Sequence, residues 1–214
     1  RFRSMDWGSA SPFSVGWWAV PSDDTRAVNK FGKELVIPRG AMVRYREWYG
    51  ASKANVGLKM QNSAIGKGIK DREAGEKISY GVLDPACFAE DGGPSIAEQI
   101  RGGGAVFREA DNTRVAKIGS AAGWGTMRDR MIGDADERAM IFCFANCHDS
   151  IRTIPALQHD KTRAEDVDTD GEDHAADEWR YACTSRPWAR PIRAETRAAR
   201  RDYSGSREEA DSWR

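Results

Sequence analysis

Three aspartates stand where the pattern of the chain changes: Asp6, Asp84 and Asp173. Asp6 closes a short run, Phe2 onward, just before Trp7-Gly8. Asp84 closes the apolar run 78–83 just before Pro85, and Asp173 opens a helical pattern within Glu172-Asp173-His174-Ala175-Ala176-Asp177. If the first two runs are strands, both carboxylates sit at strand ends, where sheets flanked by helices build their sites. Carboxylates gathered there from distant segments can hold two Mg²⁺ or Mn²⁺ ions roughly 3.5–4 Å apart, which clamp the attacking and leaving oxygens of a phosphodiester. Such ions suit the task because they take hard oxygen ligands and keep bound water. Each acid also has a plain structural role open to it. Asp6 can form a turn before Gly8, Asp84-Pro85 can start a turn or helix, and Asp173 can complement a helix dipole. For any one of them alone that role is the better bet, and only the set of three carries the catalytic expectation.

Other spacings compete with this one. Asp166-x-Asp168-x-Asp170-Gly171 followed by Asp177 has the spacing of a calcium-binding EF-hand loop, but Pro155 interrupts the segment that should supply its first helix. A solvated acidic loop leading into the last helix is the preferred reading. His174 could orient a metal-bound water, although a surface histidine beside a helix start is the simpler expectation. The cysteines at 87, 143, 147 and 183 offer one cluster, Cys143-x-x-x-Cys147-His148, and no second pair for a structural zinc site. Buried free thiols in a reducing cytosol are expected.

The 214 residues carry 33 Lys+Arg and 33 Asp+Glu, a net charge of zero that by itself argues against a nucleic-acid partner. The zero is a cancellation. Residues 160–178 hold nine acids and two bases, while 1–159 and 179–214 carry surpluses of +3 and +4. Arginine, the base suited to bidentate phosphate contacts, supplies 24 of the 33 positive side chains. Lys67, Lys70 and Arg72, together with Arg128 and Arg130, are candidate contacts to a DNA backbone. A solvated charged face is the alternative for each. No run of 18 apolar residues predicts a membrane span, and the first residues show neither a signal peptide nor an initiator Met.

The elements that must position these groups follow from periodicity. Strands are expected at 2–6, 13–20, 35–38 and 42–49, joined by short polar links as an antiparallel meander. A helix over 61–74 stops at Gly75, a strand runs over 78–83, and Ser95 with Glu98 forms a capping box for a helix to Arg101. Further strands are expected at 105–108 and 139–144, and helices at 115–131, 150–158 and 172–183. Meander followed by alternating strand and helix predicts an α/β fold, a mixed sheet with helices on its faces. The Arg-rich segment 185–214, with six arginines in 186–201, reads as a flexible tail beyond a domain spanning 1–184.

The pieces Arg3-Ser4-Met5-Asp6-Trp7-Gly8, Pro12-Phe13-Ser14-Val15-Gly16-Trp17-Trp18, Tyr80-Gly81-Val82-Leu83-Asp84-Pro85-Ala86 and Glu172-Asp173-His174-Ala175-Ala176-Asp177-Glu178-Trp179-Arg180-Tyr181 together resemble the C-terminal nuclease domain of large terminase subunits of tailed phages and prophages. The resemblance spans most of residues 3–183, in the family's order. It implies a ribonuclease H-like fold and a nuclease that cuts concatemeric viral DNA during genome packaging. By position, Asp6 and Asp84 fall on the first two catalytic acids. Asp173 is the choice for the third, with Asp177, one turn later, as its rival; Asp177 could instead pair with Tyr181 or Arg180 and hold the helix. The implied partners are double-stranded DNA, an N-terminal ATPase domain of the full-length protein, the portal and the small terminase subunit, all in the host cell cytoplasm. The missing Met and the lack of a Walker-type phosphate loop are those expected of the nuclease half of such a chain. The competing readings are another ribonuclease H-like nuclease of resolvase or integrase type, and a non-catalytic docking module of the packaging motor.

Overall fold

The computed structural model describes residues 1–115 and 123–188. Its strands are β1 (Phe2–Asp6), β2 (Ser14–Ala19), β3 (Thr25–Val28), β4 (Glu34–Ile37), β5 (Met42–Tyr49), β6 (Ala51–Lys53), β7 (Val56–Gly57), β8 (Gly81–Leu83), β9 (Arg108–Glu109) and β10 (Ile141–Cys143). The α-helices are α1 (Asn62–Glu73), α2 (Ile96–Gly102), α3 (Gly123–Ile132), α4 (His148–Thr153) and α5 (His174–Ser185).

β1 is buried along its whole length, as a central strand covered on both faces must be. Successive side chains of a strand point to opposite faces, and β1 divides accordingly. Met5 joins Val15, Trp17, Ile65, Ile69, Leu83 and Ile100 under α1 and α2. Phe2 joins Trp18, Met42, Met127, Trp179 and Ala182 under α3 and α5. Trp17 and Trp18, both fully buried, serve one face each.

Six strands form one sheet in the order β10-β5-β2-β1-β8-β9. Only β2 runs against the rest: it is antiparallel to β1 and β5, whereas β1–β8, β8–β9 and β5–β10 are parallel. The C-terminal ends of five strands therefore share one edge of the sheet. The expected meander exists as β1, β2 and β5, with one correction. The strand expected at 35–38 is β4, which pairs with β3 in a separate two-stranded hairpin inserted between β2 and β5. A second small hairpin, β6–β7, follows β5.

Several boundaries also move. The strand expected at 78–83 narrows to Gly81–Leu83, and that at 105–108 shifts to Arg108–Glu109. The helix expected at 150–158 begins at His148 and tightens to a 3₁₀ turn at Ile154–Ala156, where Pro155 has no N–H to continue an α-helix. Of the helix expected over 115–131, residues 116–122 lie outside the described residues, as does the tail beyond Trp188. The capping box of Ser95 and Glu98 forms as expected. No described helix is long and apolar enough to cross a membrane. All four cysteines are free, and all but the half-buried Cys143 are buried.

Helices α1 and α2 touch through glycines. A methyl group on Gly66 would lie 2.0 Å from the Ile100 carbonyl oxygen, and one on Gly103 would lie 2.1 Å from that of Ser63. Alanine gains about 1 kcal/mol over glycine in a helix, but a backbone carbonyl cannot retreat without separating the helices, an overpacking cost of about 1–3 kcal/mol. Gly66→Ala is therefore expected to lower the melting temperature by a few degrees. An unchanged or higher melting temperature in calorimetry would show that the helices do not meet here.

The other face is organised by a charge. Helix α5 lies antiparallel along β1, and Glu178, fully buried, reaches the sheet between them. It accepts hydrogen bonds from Ser4 and from Trp18 Nε1 (3.0 Å) and is ion-paired with the fully buried Arg44 of β5. Gly16 makes room for it, since a Cβ there would stand 2.3 Å from Glu178 Oε1. Burial pushes the Glu178 carboxyl up from its ordinary range, and Arg44, Ser4 and Trp18 oppose that shift.

Candidate functional site

The register of β1 and β8 pairs Ser4 with Val82 and Met5 with Leu83. One step further along both strands come Asp6 and Asp84, side by side at the shared edge and on the face covered by α5. Helix α5 begins above them, its N-terminus formed by Asp173 and its first residue His174. The three sequence-predicted acids thus come from the first strand, a middle strand and the last helix, and meet at one end of the sheet.

Asp6 is 7% exposed, and its Oδ2 lies 3.3 Å from His174 Nδ1. Burial raises its carboxyl to about 7; the His174 hydrogen bond works against the rise, and Asp177 and Asp173 add to it. Asp173 is 5% exposed and raised to about 6, first by burial and then by the charge of Asp177. It stands at the N-cap of α5, the position at which a carboxylate complements the helix dipole, although its side chain accepts no cap hydrogen bond. Its Oδ1 stands 3.9 Å from His174 Nδ1. Burial alone would lower His174, but its hydrogen bond to Asp6 and the surrounding acids outweigh that effect and raise it.

Asp84 is held differently. Its Oδ1 accepts from the Ala86 N–H (2.9 Å), which starts a 3₁₀ turn at Pro85, and its Oδ2 accepts from the Tyr181 hydroxyl of α5 (3.2 Å). Asp177 is taken up by two guanidinium groups: Arg114 Nη1 approaches both its oxygens (3.0 and 2.9 Å), and Arg180 Nε and Nη2 reach its Oδ1 (2.9 and 2.8 Å). Of the partners the sequence offered for Asp177, Arg180 is found and Tyr181 is not. Arg114 also binds Asp166 through Nε (2.9 Å) and stands 3.7 Å from Asp173.

By donor type the acids suit a hard divalent cation, and the upward shifts of Asp6 and Asp173, caused first by burial and then by neighbouring acids, mark a place where a cation would be favoured. Their spacing is looser than a bound ion would have it. Among the described residues no three Asp, Glu, His or Cys side chains are gathered tightly enough to hold one ion.

Other expectations need correction. The acidic loop expected to be solvated is only partly so: Asp166 is buried and engaged by Arg114 and by Trp124 Nε1 (2.8 Å), while Asp168 Oδ1 accepts from the Asp170 N–H. His174 is not a surface histidine, since its ring lies against Asp6. Arg130 is no DNA contact. It is 2% exposed on the inward side of α3 with Met127, and its guanidinium donates to the Arg186 carbonyl (2.6 Å). Lys70 is engaged with Glu73, and Arg72 packs 3.7 Å over the Trp48 ring. Both belong to the end of α1 whose Glu73 pairs with Arg3 near the start of β1, away from the acids. Lys67 and Arg128 are exposed. The sequence did not point to Arg114 or Asn55, whose side chains reach the acids or His174, and it offered Tyr181 to Asp177 rather than to Asp84. Only Asn55 left a local signal, an Asn before Val56-Gly57 at a tight turn.

No family model matches the chain, and no curated protein matches it in sequence. Solved structures do match its fold. The large terminase of the thermophilic bacteriophage D6E superposes with a TM-score of 0.56 at 14% identity, over 86% of this chain and 39% of that one. The same protein in complex with ATP-γ-S gives 0.56 at 14%, over 85% and 38%. The P22 large terminase nuclease domain gives 0.51 at 16%, over 88% of this chain and 82% of that one. This chain thus spans about two fifths of the D6E protein and most of the P22 domain. At these identities the shared property is the fold: a mixed, helix-flanked sheet arranged like that of the P22 large terminase nuclease domain.

Proposed function

We propose that this chain is the nuclease part of a phage large terminase, a divalent-metal-dependent endonuclease that cuts double-stranded DNA concatemers during packaging with little sequence preference. The observation that carries the reading is the meeting of Asp6, Asp84 and Asp173 at one sheet edge, in the fold shared with the P22 large terminase nuclease domain. Residues 1–184 would form the catalytic domain and 185–214 a basic extension. An ATPase domain of the same longer protein would deliver the DNA, with the portal and the small subunit as further partners in the host cytoplasm.

Asp6, Asp84 and Asp173 would hold the metal, Mg²⁺ or Mn²⁺, with Asp177 as a substitute for the third. When bound, a pair of such ions supplies an activated water and neutralises charge on the departing 3′ oxygen. The chain's own groups prepare the site for it. Tyr181 and the Ala86 N–H fix the Asp84 carboxylate, and burial of Asp6 and Asp173 strips them of competing water. Arg114 restrains Asp177 and stands beside Asp173. Exposed Lys53 and Lys59, which flank Asn55, would join Lys67 and Arg128 as sequence-independent phosphate contacts.

The looseness of the acids favours a second reading, a non-catalytic docking module of the motor, and one assay separates the two. Supercoiled plasmid with Mn²⁺ or Mg²⁺ should be degraded by the wild type and left intact by Asp84→Ala, while Asp177→Ala should retain more activity than Asp173→Ala. Equal cutting by the wild type and Asp84→Ala would remove the site assignment. A wild type that never cuts, alone or with an ATPase partner, would favour docking.

A further inference from the structure

The β6–β7 hairpin touches the site at one residue. Asn55, at its tip, has φ 55°, a left-handed conformation that Asn tolerates better than most residues. The hairpin is pinned on both sides of that tip. Gly57 donates its N–H to the Ala10 carbonyl in the loop after Asp6 (2.7 Å). A Cβ on Gly57 would meet the Ser9 carbonyl at 2.2 Å, so only glycine lets the hairpin lie this close. On the other side the Asn55 backbone N–H is bound by the Glu172 carboxylate, and Asn55 Nδ2 reaches toward the Asp170 carbonyl (3.5 Å). With its amide nitrogen turned that way, Asn55 presents its oxygen to His174: Oδ1 lies 3.1 Å from Nε2.

This orientation assigns a proton. A carbonyl oxygen can only accept, so the His174 Nε2 facing it carries a hydrogen and donates. The ring is thereby fixed with its other nitrogen, Nδ1, against Asp6 Oδ2 at 3.3 Å. A histidine's orientation and tautomer are set by the bond its second nitrogen makes.

We infer that Asn55 is a positioning residue: through its hydrogen bond to His174 it fixes the ring that in turn holds the Asp6 carboxylate in its working orientation. The contribution to cleavage rests on the nuclease reading above. The hydrogen-bond chain from Asn55 to His174 to Asp6 does not.

The left-handed backbone allows a clean test. Asn55→Gly keeps that conformation at no steric cost and removes only the side chain, while Asn55→Asp keeps an acceptor oxygen in the same place. In the metal-free wild type, long-range ¹⁵N–¹H spectra of the His174 ring should show Nε2 protonated and protected from exchange. That signature should vanish in Asn55→Gly and return in Asn55→Asp. In plasmid cleavage, Asn55→Gly should lower kcat by about tenfold or more with KM for DNA nearly unchanged, and Asn55→Asp should recover most of the loss. A protected Nε2 proton in Asn55→Gly overturns the proposal. So does a wild-type kcat in that variant, or a loss confined to KM, which would make the hairpin a DNA contact instead. If the wild-type protein does not cut at all, the nuclease reading fails, and the ring spectra alone decide whether Asn55 positions His174.

Discussion

Asp6→Asn is expected to abolish cleavage and, in the same molecule, to stabilise the metal-free fold at pH 8. The two effects share a cause. The folded-state carboxyl is raised to about 7, whereas in the unfolded chain it titrates near 3.9. The folded state therefore binds this proton more tightly than the unfolded state does. The penalty is absent below pH ~4, grows as the pH rises through ~4 to ~7, and is complete above that. A shift of about three units sets a ceiling of about 4 kcal/mol, and the cost of burying the Asn amide with incomplete hydrogen bonding reduces the net gain to about 2 kcal/mol. For a chain of this size that is a rise of about 4–8 °C in melting temperature, measured in EDTA at pH 8, with the difference shrinking at pH 5. Mn²⁺ should raise the wild-type melting temperature by mass action and leave the variant unmoved. Cleavage should fall about a thousandfold or more, the equivalent of several kcal/mol of lost charge stabilisation. A variant that melts below the wild type at pH 8 would refute the claim that Asp6 sits in the fold under electrostatic strain.

Arg44→Met is expected to be the most damaging substitution away from the acids. Arg44 and Glu178 are both fully buried, so removing the guanidinium leaves an anion enclosed between Ser4, Trp18 and the body of α5. Breaking one side of such a pair costs about 3–5 kcal/mol, roughly 10 °C in melting temperature for a chain of this length. Replacing both members together, as Arg44→Met with Glu178→Met, should recover most of that loss, because the pair's attraction mainly offsets its own desolvation. Urea unfolding of the single and double variants reads this directly. A single variant as stable as the wild type would mean that Glu178 finds another partner or a proton at little cost. The damage should also reach the site, since Glu178 lies one turn of α5 beyond His174.

Much of this arrangement was legible in the residues. The runs Phe2–Asp6 and 13–20 were legible as strands, though not that β1 is covered on both faces, and the Ser95–Glu98 capping box placed the start of α2 to the residue. The strand-end positions of Asp6 and Asp84 were also readable, because runs of apolar residues end where strands end. What could not be read was which segments lie against each other. His174 looks like a surface residue until α5 is laid antiparallel on β1. Arg114 belongs to no local pattern, yet it binds acids 52 and 63 positions away. Arg130 was misread because a basic residue suggests solvent, although its spacing from Met127 puts it on the same inward helix face. The hairpin β3–β4 was half seen, since Thr25–Val28 is exposed and polar enough to pass for a loop.

The contact between Asp6 and His174 joins residues 168 positions apart. During synthesis Asp6 must wait for 168 further residues before His174 arrives beside it. Pairings of such long range form late, because loop closure must precede them. A nascent or truncated chain lacking α5 has neither His174 nor Tyr181 to meet Asp6 and Asp84. Under the proposed nuclease function, cleavage would be postponed until α5 docks, and a product stalled partway would leave the DNA around it intact.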